Sequence, residues 1–87
     1  MYVIMVYDIG VERVLKVLKI SRKYLTHVQN SVLEGEMTAP TFRELKKELK
    51  SVIDKDYDRI VFYQLQLPKH VRSEYLGASS NSPLEYI

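Results

Sequence analysis

Asp8 is the first charged side chain in the sequence, and it closes an apolar run, Met1 to Tyr7, rich in Val, Ile and Tyr. A carboxylate there can ligate a hard cation, and in α/β-type sheets ligands and ions favour the crevice at strand carboxyl ends. The same carboxylate can complement the start of a following helix, and residue type alone does not separate the two roles. Downstream, Arg13, Lys16, Lys19, Arg22 and Lys23 are opposed within their segment only by Glu12. At about 100° per residue Arg13, Lys16, Lys19 and Lys23 share roughly a third of a helix circumference. Such a stripe suits a phosphate backbone, and it also suits a solvated face.

Other polar side chains carry weaker signals. An unperturbed imidazole titrates near neutrality, so His27 has the chemistry of a general base, although a histidine at a strand start is more often a surface or interface residue. Ser31 can donate to a phosphate or bond to nearby backbone. Glu34 and Glu36 share a strand face and read as salt-bridge residues, because no second motif ties them to Asp8. Tyr7 points away from Asp8 by strand alternation, which makes it a core or interface residue. His70 has no chemical context of its own.

These residues must be held by a small scaffold. The chain has 87 residues, 46% of them hydrophobic and 28% charged, with a formal net charge of +2 and no cysteine. That composition gives one packed domain, and it excludes disulfides, thiolate metal sites and a cysteine nucleophile. A domain of this size buries only roughly 60% of its unfolded surface, so association would help it. No apolar stretch approaches the roughly 20 residues that span a bilayer, and the first residues lack a basic leader with a small-residue cleavage site. A soluble cytoplasmic protein with no membrane partner is expected.

The first run is too short for an ordinary helix and reads as a buried strand. Val11, Val14, Leu15, Leu18 and Leu25 predict an amphipathic helix over 11–25, with Asp8 and Glu12 at its positive end. Residues 26–37 read as extended, as one bent strand or two short ones, with Gly35 marking a bulge or bend. Pro40, with Thr41 and Glu44 at capping-box spacing, starts a second helix whose apolar set is Phe42, Leu45, Leu49, Val52 and Ile53. The stretch 54–58 reads as a polar connection, 59–67 as a strand closed by Pro68, and 71–76 as a further short strand. The sum is an α+β sandwich with two helices on one face of a largely antiparallel sheet. The other face would expose aromatic residues, which a two-fold dimer would bury. Residues 1–76 form the expected domain, and 77–87 a linker and short apolar strand that docks on a partner.

Tyr7-Asp8-Ile9 closing the first strand, the basic helix with Arg13, and the run from Val28 to Gly35 together resemble the CRISPR-associated Cas-two family. The resemblance runs from Met1 to about Leu65 and loosens after Pro68. It implies a ferredoxin-like (βαββαβ-type) homodimer, with the C-terminal strand exchanged between subunits and a role in acquiring CRISPR spacers beside an integrase subunit. It further implies a metal-dependent endonuclease acting on single-stranded RNA or double-stranded DNA, with one magnesium ion shared by the two Asp8 residues of the dimer. Two carboxylates brought that close would repel, so at least one would have a raised pKa without metal. Tyr7, Asp8, Arg13, Ser31 and Glu34 stand at matching positions. The family motif commonly has Phe where this chain has Leu33, and some members carry Arg in place of His27; both positions are connected with nuclease activity.

Overall fold

The computed structural model describes residues 1–66 and 70–78. The chain runs β1 (Tyr2–Asp8), α1 (Val14–Ser21), β2 (Thr26–Gln29), β3 (Val32–Glu36), α2 (Ala39–Lys50), β4 (Arg59–Gln66) and β5 (His70–Gly77). The strands form one antiparallel sheet in the order β2-β3-β1-β4-β5. The expected α+β, ferredoxin-like sandwich is what the chain adopts. Residues 26–37 resolve into two strands. The turn between them passes through Ser31, held at φ 65°, the left-handed region where non-glycine residues are uncommon. The short strand expected to be exchanged, Leu84 to Ile87 at the end of the 77–87 segment, lies outside the described residues.

Strand alternation sorts the core. Met5 lies opposite Leu33 on one side and Phe62 on the other. With Val3, Tyr7 and Ile60, these side chains pack against Val17, Phe42, Leu45 and Leu49 of the helices. Phe42 meets Phe62 edge to face with ring centroids 5.1 Å apart, the arrangement the ring quadrupoles favour. The opposite sheet face carries Tyr2, Ile4, Val6 and Asp8 of β1 beside Val61, Tyr63 and Leu65 of β4, and Tyr75 of β5. The helices leave this face uncovered, and Tyr2, Leu65 and Tyr75 are exposed on it.

Three local expectations need correction. Helix α1 begins only at Val14, because residues 10–13 form a turn in which the Gly10 carbonyl accepts from the amides of Arg13 and Val14. Its inward face is Val14, Val17, Leu18 and Ser21, leaving Val11 and Leu15 exposed. Ser21 interrupts the apolar pattern of that face, so the sequence favoured the neighbouring phase. No acidic residue sits in the first turn. Thr38, not Thr41, caps α2, its hydroxyl accepting from the Thr41 amide, with Pro40 in the first turn. The register shift lies between His27 and Gln29, not at Gly35. Gly35 instead sits where an added Cβ would come within 3.4 Å of Leu25, a close approach between β3 and the end of the α1 connection. Among the described residues no helix is long and apolar enough to cross a membrane.

Candidate functional site

Because β4 runs antiparallel to β1, the end of one strand meets the start of the other, and Asp8 lies opposite Arg59. Asp8 projects from the uncovered sheet face with a side chain that is 65% exposed, and its Oδ2 is 3.5 Å from an Arg59 guanidinium nitrogen. That separation in partial solvent is a weak restraint, so the carboxylate oxygens remain available to a ligand.

The residue that builds the rim is Asp58, next to Arg59. It is fully buried, and its two oxygens accept from four N–H groups. Arg13 donates through Nε at 2.5 Å and through a terminal nitrogen at 2.8 Å; the Gly10 amide donates at 2.8 Å and the Asp54 amide at 2.7 Å. The Arg13 guanidinium, helped by the Asp54 and Gly10 amides, outweighs desolvation and holds the Asp58 pKa down at about 2. Asp58 thereby ties the turn after β1 to the turn before β4. Gly77 closes the back of this clamp. Its φ is +95°, and a Cβ there would fall 1.8 Å from the Asp58 carbonyl oxygen, so only glycine fits. The Ala78 amide donates to that carbonyl at 2.8 Å.

Between the two turns lies a groove of about 320 Å³, lined by Asp8, Ile9, Gly10, Glu12, Arg13, Asp54 and Tyr57. Glu12 lies 2.7 Å from Arg13 instead of at a helix end. Among the described residues no three carboxylate or imidazole groups cluster to hold a metal ion. The rim therefore offers two exposed carboxylates, Asp8 and the Arg13-paired Glu12, with the partly buried Asp54 beside them.

The remaining candidates fall elsewhere. Tyr7 and Leu33 are buried in the core beneath the helices. His27 pairs with Leu33 and so lies on the helix side of the sheet, opposite to Asp8; its Nδ1 is 3.1 Å from Arg22, and its Nε2 is buried with no hydrogen-bond partner among the described residues. Ser31 forms the β2-β3 turn, and its carbonyl accepts from the Tyr7 amide at 3.0 Å. Glu34 accepts from the Tyr2 hydroxyl, and Glu36 sits 3.8 Å from the chain's amino terminus. Of the basic stripe, Arg13 turns inward to Asp58, and Lys23 pairs with Glu48 at 2.5 Å. Lys16 and Lys19 stand exposed on α1.

Asp58, Asp54 and Tyr57 were hidden in a stretch that read as a polar connection. One signal was present. Asp58 directly precedes an apolar strand as Asp8 directly ends one, and antiparallel pairing of two such strands brings both carboxylates to one rim.

Comparison with known proteins places the chain. A family profile described as CRISPR associated protein Cas2 matches residues 1–72. The CRISPR-associated endoribonuclease Cas2 of Dictyoglomus turgidum is 46% identical over 81 residues, covering 93% of each chain. That of Thermotoga maritima is 51% identical over 77 residues, covering 88% of each. The crystal structure of Streptococcus pyogenes Cas2 superposes with a TM-score of 0.70 at 35% identity, covering 78% of this chain and 89% of that one.

Proposed function

This chain belongs to the CRISPR-associated Cas2 family, and we propose that it is a cytoplasmic CRISPR-adaptation protein that cleaves single-stranded RNA or double-stranded DNA with Asp8 at its chemical centre. The observation that carries the reading is the exposure of Asp8 on the helix-free sheet face, beside an apolar surface that includes Tyr2, Leu65 and Tyr75. A second copy of the chain packed on that face would bury these side chains and bring a second Asp8 toward the first. Relatives named endoribonuclease support the nuclease assignment.

The carboxylate oxygens of Asp8 are hard donors of the kind magnesium prefers, and one carboxylate per chain is too few to hold the ion. Asp8 from each of two subunits would hold it, consistent with ions of this type using one or two carboxylates plus substrate phosphate. Bound there, magnesium would supply charge neutralisation at a phosphodiester and favour ionisation of an attacking water. The chain's own contribution is to hold Asp8. Backbone pairing with β4 fixes the Cα position, and the Asp58 clamp fixes the turn that follows. Lys16 and Lys19 on α1 add a sequence-independent attraction for phosphates.

The test is cleavage of labelled single-stranded RNA and double-stranded DNA by the wild-type protein and Asp8→Asn, with magnesium and with chelator. Cleavage that needs both the ion and Asp8 is the expected result. Equal cleavage by both proteins, or none, would instead favour a DNA-binding scaffold that bridges integrase subunits, to which the exposed Lys16 and Lys19 would contribute phosphate contacts.

A further inference from the structure

Val11 and Leu15 are 85% and 78% exposed, and neither belongs to the core. Both stand on ordered backbone. Val11 lies in the turn whose Gly10 amide and Arg13 guanidinium are bound by Asp58, and Leu15 is in the first turn of α1. Apolar side chains presented by pre-ordered backbone lose little freedom when something packs on them.

The pair lies on an open flank of the helix. Lys23 reaches Glu48 of α2 on one side of α1, and Arg22 reaches His27 of β2 on the other. At about 100° per residue, Leu15 falls roughly 20° from Arg22 and roughly 80° from Lys23 around the axis. It therefore faces away from α2, and among the described residues no element covers that flank. The free charges bordering it are of one sign. Leu18, Leu15, Lys19 and Lys16 follow one another around the axis, from half-buried to exposed. Glu12 is held by Arg13 at 2.7 Å, whereas Lys16 and Lys19 have no ion-pair partner among the described residues.

We propose that this flank of α1 docks an acidic amphipathic helix of a partner protein, with Val11 and Leu15 as apolar anchors and Lys16 and Lys19 pairing with carboxylates beside the partner's apolar stripe. The charge pattern selects this occupant. A second copy of the chain would bring lysines against lysines, which opposes association. Nucleic acid offers phosphates to the lysines, but its contacts are polar and leave two aliphatic side chains without a use. A helix laid beside α1 would extend the helix layer over β2, at the usual interaxial distance of about 8–10 Å. Because α1 is only eight residues long, the contact is small and belongs with weak, transient interfaces.

The test is fluorescence anisotropy with a labelled synthetic helix of about 18 residues, carrying Leu at helical spacing and Glu on both flanks of the Leu stripe. One control peptide has Lys for Glu, and another has Ser for Leu. Wild type is expected to bind the Glu peptide and neither control. The double variant Val11→Ser with Leu15→Ser should bind it about tenfold or more weakly, in line with two lost apolar contacts. Lys16→Glu with Lys19→Glu should abolish binding. A short DNA duplex should bind the double Ser variant as tightly as wild type, and the sedimentation of that variant should match wild type. No binding of the Glu peptide by wild type, equal binding of the Ser control, or unchanged affinity in the double Ser variant would each overturn the proposal. So would a loss of duplex binding in that variant, which would make the flank a nucleic-acid contact, or a smaller sedimenting species, which would make it a contact between copies. Because both side chains are exposed, unchanged thermal unfolding of the double Ser variant separates lost binding from lost fold.

Discussion

Asp8 and Asp58 occupy the same rim of the sheet and have opposite environments. Asp8 is 65% exposed with one cation at 3.5 Å, whereas Asp58 is fully buried and accepts four N–H donors, all within 2.8 Å. A carboxylate whose oxygens are saturated by the protein has nothing left to offer a ligand, and one that is only loosely held does. The contrast assigns chemistry to the first and architecture to the second.

Substitution should separate the two. Asp8→Asn is expected to bring metal-dependent cleavage to background, a loss of about a thousandfold or more, or about 4 kcal/mol of barrier. Its unfolding free energy should stay within about 0.5 kcal/mol of wild type, as for other exposed positions. Cleavage surviving in Asp8→Asn would break the contrast at its functional end. Asp58→Asn should do the reverse: urea unfolding is expected to show a loss of about 3–5 kcal/mol, because Arg13 would be left without its buried partner. A stable Asp58→Asn protein would show that the clamp is incidental.

Acid sharpens the same point. The folded Asp58 pKa of about 2 lies below its ordinary 3.8, so the carboxylate stabilises the fold above the higher value, and that stability is lost as pH falls through the lower one. The shift corresponds to about 2 kcal/mol, which pH-dependent unfolding between about pH 5 and 2 should show for wild type and not for Asp58→Asn. The smallest expected effect concerns the helix. Lys16→Glu with Lys19→Glu should lower nucleic-acid affinity and flatten its salt dependence by roughly one to two counterions, read from binding at several salt concentrations. An unchanged slope would remove α1 from the interface.

Much of the fold was legible because periodicity reports it directly. The apolar run of β1, the strand pattern of β4 and the Phe42, Leu45, Leu49 spacing in α2 each reflect surface that must be buried. Helix α1 was misphased because a buried serine interrupts its inward face, and no local rule favours Ser21 over Leu15 for the core. The Thr41 cap failed for a related reason. Thr38 and Thr41 both have suitable chemistry, and the choice between them depends on where the chain leaves β3.

The sequence by itself determined an antiparallel α+β domain with a carboxylate at the end of its first strand and a cationic helix next in line. Those properties depend on neighbours within a few residues. Only the tertiary structure decided that Arg13 turns inward, that a carboxylate 45 positions away receives it, and that His27 lies on the other side of the sheet from Asp8. Each depends on which strand edges meet across the sheet, and that pairing brings together residues whose separation along the chain carries no local signal.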